Sequence, residues 1–118
     1  MKRVDLIKAI EKLPGATLEY PFGDDVMVYK VMNKMYALVG DTNGLNLKCD
    51  PNDAIAYRDI YENILPGYHM NKKHWNTILF DKDESIPKEV IVGMIQESYD
   101  LVVSKLSRKL KNTLQTLK

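Results

Sequence analysis

The chain has 118 residues, 45% of them apolar and 28% charged, with 17 basic and 16 acidic side chains and a formal net charge of +1. A length and composition of this kind describe one globular domain, large enough to hold a core without disulfides or a structural metal. No apolar run approaches the roughly 20 residues needed to span a bilayer, and a pI of about 7.8 lacks the overall basicity of a strongly cationic nucleic-acid binder.

Val4, Leu6, Ile7, Ile10 and Leu13 recur at helical spacing and Pro14-Gly15 follows, which predicts an amphipathic helix over residues 3–13. Residues 16–24, with Tyr20 and Phe22 around Pro21, read as an ordered connection anchored by aromatics. Val, Met and Tyr dominate residues 25–31, and 35–39 are apolar again across a turn-like Asn33-Lys34, as a hairpin requires. Asp41-Thr42-Asn43-Gly44 is the next turn. Leu45 and Leu47 then alternate with Asn46 and Lys48, giving a third strand that runs to about Cys49.

Asp50 and Pro51 supply an N-cap and a first-turn proline for a helix carrying Ala54, Ile55, Tyr57, Arg58 and Tyr61 and ending near Glu62. Residues 67–70 are expected to be extended, Asn71-Lys72-Lys73 to turn, and 75–80 to form a strand, which makes a second hairpin. Residues 81–85 form a charged loop. Pro87 opens a long helix whose apolar stripe runs from Val90 through Tyr99 to Leu110. The order αβββαββα predicts an α+β fold: an antiparallel sheet of about five strands packed by N-terminal, middle and long C-terminal helices.

Charge is uneven along the chain. After Asp100 there is no acid, and Lys105, Arg108, Lys109, Lys111 and Lys118 leave 12 basic against 16 acidic residues before them. Such a tail offsets a helix macrodipole and aids solubility. A second cluster sets Lys72, Lys73 and His74 between Tyr68, His69 and Trp75. A basic hairpin tip of that composition can lay lysines against phosphates while imidazole and indole edges reach groove walls or stacked bases. The plainer alternative is a pair of core aromatics flanking a solubilising turn. Cys49, His69 and His74 are the complete set of cysteine and histidine; a zinc site built from them would follow no established ligand spacing. No glycine-rich phosphate loop occurs and no third residue orients a Cys/His pair, so the residues assign neither catalysis nor a cofactor. A lone cysteine fits a reducing cytoplasm.

Several blocks resemble the MmcQ/YjbR family of small bacterial proteins. They are Pro21-Phe22-Gly23, Lys34-Met35-Tyr36-Ala37-Leu38, Leu47-Lys48-Cys49-Asp50-Pro51, the run Pro66-Gly67-Tyr68-His69-Met70-Asn71-Lys72-Lys73-His74-Trp75-Asn76-Thr77, and Glu97-Ser98-Tyr99 followed by Leu101-Val102. The similarity runs in order to about residue 106 and leaves 107–118 as a basic C-terminal helical extension of a single domain over 1–118. The resemblance implies a CyaY-like fold and a double-wing module, in which a concave sheet and its hairpins sit on double-stranded DNA. Domains of similar outline also serve as secretion chaperones or metal-delivery proteins.

The resulting expectation is a non-enzymatic, cytoplasmic, monomeric DNA-binding protein without cofactor or membrane association. Its nucleic-acid contacts would be Lys34, Lys48, His69, Lys72, Lys73, His74 and Trp75. Four lysines on phosphates would give a log–log salt slope of about −3.6. The alternative is a protein- or small-ligand-binding module with a pocket between Pro21-Phe22, the His69/His74 hairpin and the last helix. A third reading, an enzyme or metal protein, needs Cys49, His69 and His74 at a common point.

Overall fold

A computed structural model describes residues 1–41, 44–67, 70–81 and 85–117. Helix α1 (Arg3–Glu11) buries Leu6 and Ile10 and ends ahead of Pro14, as its spacing requires. The chain then forms β1 (Ala16–Glu19), β2 (Val26–Val31), β3 (Lys34–Gly40) and β4 (Leu45–Lys48). Helix α2 (Pro51–Ile60) follows, with Asp50 capping its start by accepting from the Asn52 amide at 3.0 Å. β5 (Ile64–Pro66) and β6 (Trp75–Ile78) precede α3 (Lys88–Ser104) and α4 (Arg108–Gln115).

The six strands form one sheet in the order β1-β2-β3-β4-β6-β5, antiparallel at every pairing. Among the described residues six strands stand where about five are expected, for a physical reason. Ala16–Glu19, read from sequence as a connection, pairs with β2 as an edge strand, and an exposed four-residue edge leaves little apolar alternation to read. The partner of β6 is Ile64–Pro66 rather than residues 67–70; Pro66 is tolerated because β5 is also an edge. Residues 68–69 of that expected strand, Thr42-Asn43 of the expected turn and 82–84 of the charged loop lie outside the described residues.

β2 and β3 are joined by Met32 and Asn33, both left-handed (φ 48° and 66°), as the two-residue turn that matches strand twist demands. Met32 accepts that conformation while packing against the core. Gly44 is also left-handed (φ 78°), and a Cβ there would collide with the carbonyl oxygen of Ile78.

One sheet face carries Tyr29, Val31, Ala37, Val39, Leu45, Leu47, Ile64 and Ile78 into the main core, where Leu6, Ile10, Ile91, Ile95, Tyr99 and Val102 of the helices meet them. Burying each of the larger aliphatic side chains stabilises the fold by about 1.5–3 kcal/mol. The other face holds a second, smaller cluster of Val28, Leu38 and Trp75, flanked by Val26, Met35 and Met70. The long C-terminal helix expected through Leu110 breaks after Ser104. Ser107 restarts it by accepting from the Leu110 amide at 3.2 Å, and Leu114 of α4 returns to the main core. Among the described residues no helix is long and apolar enough to cross a membrane.

Candidate functional site

The site grows out of an irregularity in β3. Tyr29 faces Ala37 and Lys30 faces Met35, so Tyr36 is left unopposed in a bulge. The bulge turns the Tyr36 ring into the core, where its hydroxyl donates to the Ile10 carbonyl at 2.9 Å and its ring meets Tyr99 edge-on at 5.3 Å. On the other side of β3, pairing with β4 stops at Ala37 and Leu47. Ser98 of α3 takes over there. Its hydroxyl donates to the Tyr36 carbonyl at 2.6 Å and accepts from the Lys48 amide at 2.9 Å, replacing a ladder bond with a side-chain bridge.

Beyond that bridge the end of the sheet opens into a recess of about 360 Å³, lined by Lys34, Met35, Lys48, Trp75, Val102, Lys105 and Leu106. The antiparallel order explains the gathering. β3 begins at Lys34, β4 ends at Lys48 and β6 begins at Trp75, all at one end of the sheet, and α3 finishes over the same end. Met35, Trp75, Val102 and Leu106 form an apolar floor. The three lysines ring it, and among the described residues no carboxylate joins the lining. Lys30, by contrast, is paired with Glu19 at 3.3 Å.

The turn before β6 stands beside the recess. Gly67 donates to the Trp75 carbonyl at 2.9 Å, and a Cβ on Gly67 would come within 2.8 Å of the Trp75 Cβ, so only glycine permits this closeness. Lys72 turns back through its Nζ to donate to the Gly67 carbonyl at 3.3 Å, and Arg58 of α2 donates to the Lys72 carbonyl at 3.1 Å. Lys73 lies in the same turn, its amide donating to Asn71 Oδ1. Of the residues singled out from sequence, Lys34, Lys48 and Trp75 therefore meet in one recess, Lys72, Lys73 and His74 occupy the adjoining turn, and His69 lies outside the described residues. Trp75 is only 9% exposed and belongs to the small cluster with Val28 and Leu38, so it offers a small part of its ring rather than a projecting side chain. Phe22, expected to wall a ligand pocket, is 63% exposed and takes no part in the lining.

Sequence reading missed Lys105, Val102, Leu106 and Ser98 as parts of this site. Lys105 was legible only as one member of a basic tail. Ser98 carried no signal beyond its place in the Glu97-Ser98-Tyr99 block.

Asp50, Asp53, Glu97 and Asp100 line a separate groove of about 290 Å³ with Leu101 and Ser104 of α3. The Tyr57 hydroxyl lies 3.2 Å from both Glu97 carboxylate oxygens, and burial followed by the Glu97 charge pushes this phenol up to about 12. Cys49 is buried nearby. Burial first, then Glu97, Asp53 and Asp50, push its thiol up to about 12 against a smaller opposing pull from Arg58. A thiol held neutral in this way is a poor nucleophile and a poor metal ligand at neutral pH. Cys49 and His74 are backbone partners, with the Cys49 amide donating to the His74 carbonyl at 2.8 Å. Among the described residues no group of three or more histidine, cysteine or carboxylate side chains is placed to hold a metal ion.

Comparison with known proteins places this architecture. Residues 11–101 match the YjbR family model. The chain is 37% identical over 101 residues to the uncharacterised protein YbdF of Escherichia coli O157:H7, covering 83% of this chain and 81% of that one. It is 30% identical over 118 residues to the uncharacterised protein YyaQ of Bacillus subtilis strain 168, covering 86% and 98%. Among solved structures, that of the Deinococcus radiodurans protein DR2400, a DUF419 domain, superposes with a TM-score of 0.84 at 34% identity over 95% of this chain and 86% of the other. A Pseudomonas syringae protein superposes with a TM-score of 0.73 at 26% identity, covering 86% and 98%.

Proposed function

The chain belongs to the YjbR family, and from that premise we propose that it is a non-enzymatic DNA-binding protein, monomeric and cytoplasmic, that holds phosphates with the lysines around the recess. One observation carries the reading: Lys34, Lys48 and Lys105 converge on a single concavity with no carboxylate among its described lining. Three like charges gathered without acidic partners repel one another and gain from an anion placed between them. The topology supports a two-winged mode of contact. The β2–β3 turn and the turn preceding β6 emerge at the same end of the sheet on either side of β4. Two strand spacings, about 10 Å, separate β3 from β6. The groove lined by Asp50, Asp53, Glu97 and Asp100 disfavours phosphate at that place.

The test is fluorescence anisotropy of labelled DNA at low salt with the natural chain and with the double variant Lys34→Glu/Lys105→Glu. Both positions are exposed, so charge reversal there leaves folding intact. Binding by the natural chain that falls at least tenfold in the variant supports the proposal. Equal binding by both proteins contradicts it.

A further inference from the structure

Resting on that reading, we infer that the recess takes one unpaired nucleotide, its base on the apolar floor and its flanking phosphates on the lysine rim, so that single-stranded DNA is preferred over duplex. Shape argues for this. The major groove of duplex DNA is itself a concavity, about 12 Å wide and 8.5 Å deep, which is read by convex elements inserted into it. Here the protein is concave. A duplex backbone lying across Lys34, Lys48 and Lys105 would satisfy the charges and leave the apolar lining, of which Met35 is the most exposed member, without a partner. An apolar floor contributes to affinity when a base enters it, and a base is free to enter when it is unpaired or extruded from the stack.

Size and chemistry agree with shape. A recess of about 360 Å³ lies near the lower end of the roughly 300–1,000 Å³ typical of small-molecule sites, the scale of one nucleotide rather than of a base pair. The floor pairs the indole of Trp75 with the thioether of Met35, two polarizable groups that tolerate any base. The lysines are point charges without the planar fork that would read a base edge, so the site selects for an unpaired nucleotide and not for sequence.

The sequence contains one tryptophan, and it is the floor residue, so its emission reports directly on occupancy. Titrate the full chain with a 15-nucleotide oligothymidine, with the same strand annealed to oligoadenine, and with an abasic strand of equal length, all at one low salt concentration, following Trp75 emission and anisotropy of a label on the DNA. The expected result is binding of the single strand at least tenfold tighter than of the duplex, with Trp75 quenching, and loss of most of that advantage in the abasic strand. Duplex bound as tightly as the single strand, or an abasic strand bound as tightly as oligothymidine, overturns the nucleotide pocket and leaves the DNA-binding reading standing. Absence of binding to all three overturns both.

Discussion

Ser98 is fully buried, and its one hydroxyl serves both as donor to β3 and as acceptor from β4. Ser98→Ala strands the Tyr36 carbonyl and the Lys48 amide inside the protein. It should lower stability by about 1–3 kcal/mol, read as a shift in the urea midpoint. An unchanged midpoint would show that the two strands re-form their own ladder bond. This contact could not be read from sequence, because Ser98 is 62 residues from Tyr36 and the β3 bulge that needs it has no local signature. The buried acids of the chain supply a second expectation. Burial raises Cys49 from 9.0 to about 12 and Tyr57 from 10.0 to about 12, and raises Tyr29, Tyr36 and Tyr99 as well. The unfolded chain therefore releases these protons first. Their neutral forms contribute fully below about pH 9, and stability declines as pH climbs from there toward 12. Urea midpoints that fall between pH 8 and pH 10.5 are expected; a midpoint that holds steady would contradict this accounting of burial.

Helix α4 shows how a sequence signal can be present and still be misjudged. The apolar stripe runs on through Leu106 and Leu110, which predicts one long helix, but Ser107 lies between them and its side chain accepts from the Leu110 amide. In the structure the cap prevails and the chain turns at 105–107, which leaves Leu106 buried beside Lys105 on the recess and sends Leu114 into the main core. The basic segment is thus tied to the domain by packing. Leu114→Ala should cost about 2–5 kcal/mol, measured by denaturant unfolding. Reversing the exposed charges with Arg108→Glu/Lys109→Glu should change stability by no more than about 0.5 kcal/mol. A benign Leu114→Ala would mean that α4 is detachable. The same packing shows that removing the chain after Leu106 would strip a core residue, so charge reversal tests the tail more cleanly than truncation. Elements with strong local signals were legible: α1 from its stripe and Pro14, α2 from Asp50-Pro51, β2 through β4 from their composition. Edge strands β1 and β5 were not, since short exposed strands owe their existence to the neighbour they pair with.

At the scale of the molecule, a net charge of +1 conceals a separation: three lysines around the recess, four carboxylates in a separate groove. Composition reported the cancellation and hid the pattern, because the recess draws its lysines from β3, β4 and the end of α3, positions up to 71 residues apart in sequence. In the hairpin turn Lys72 bonds back to Gly67, while Lys73 is exposed. Three phosphate contacts predict a log–log salt slope of about −2.7 on duplex or about −2.1 on single-stranded DNA, shallower than the −3.6 or so of four contacts to duplex. A slope near zero would remove lysine–phosphate contact from the account. The most direct measurement is a set of amide chemical-shift maps recorded as DNA is added to the isotope-labelled chain. Shifts are expected to centre on Lys34, Lys48, Trp75 with its indole N–H, and Lys105; shifts confined to Arg108, Lys109 and Lys111 of α4, or to the acidic groove, would put the DNA elsewhere and overturn the role of the recess lysines.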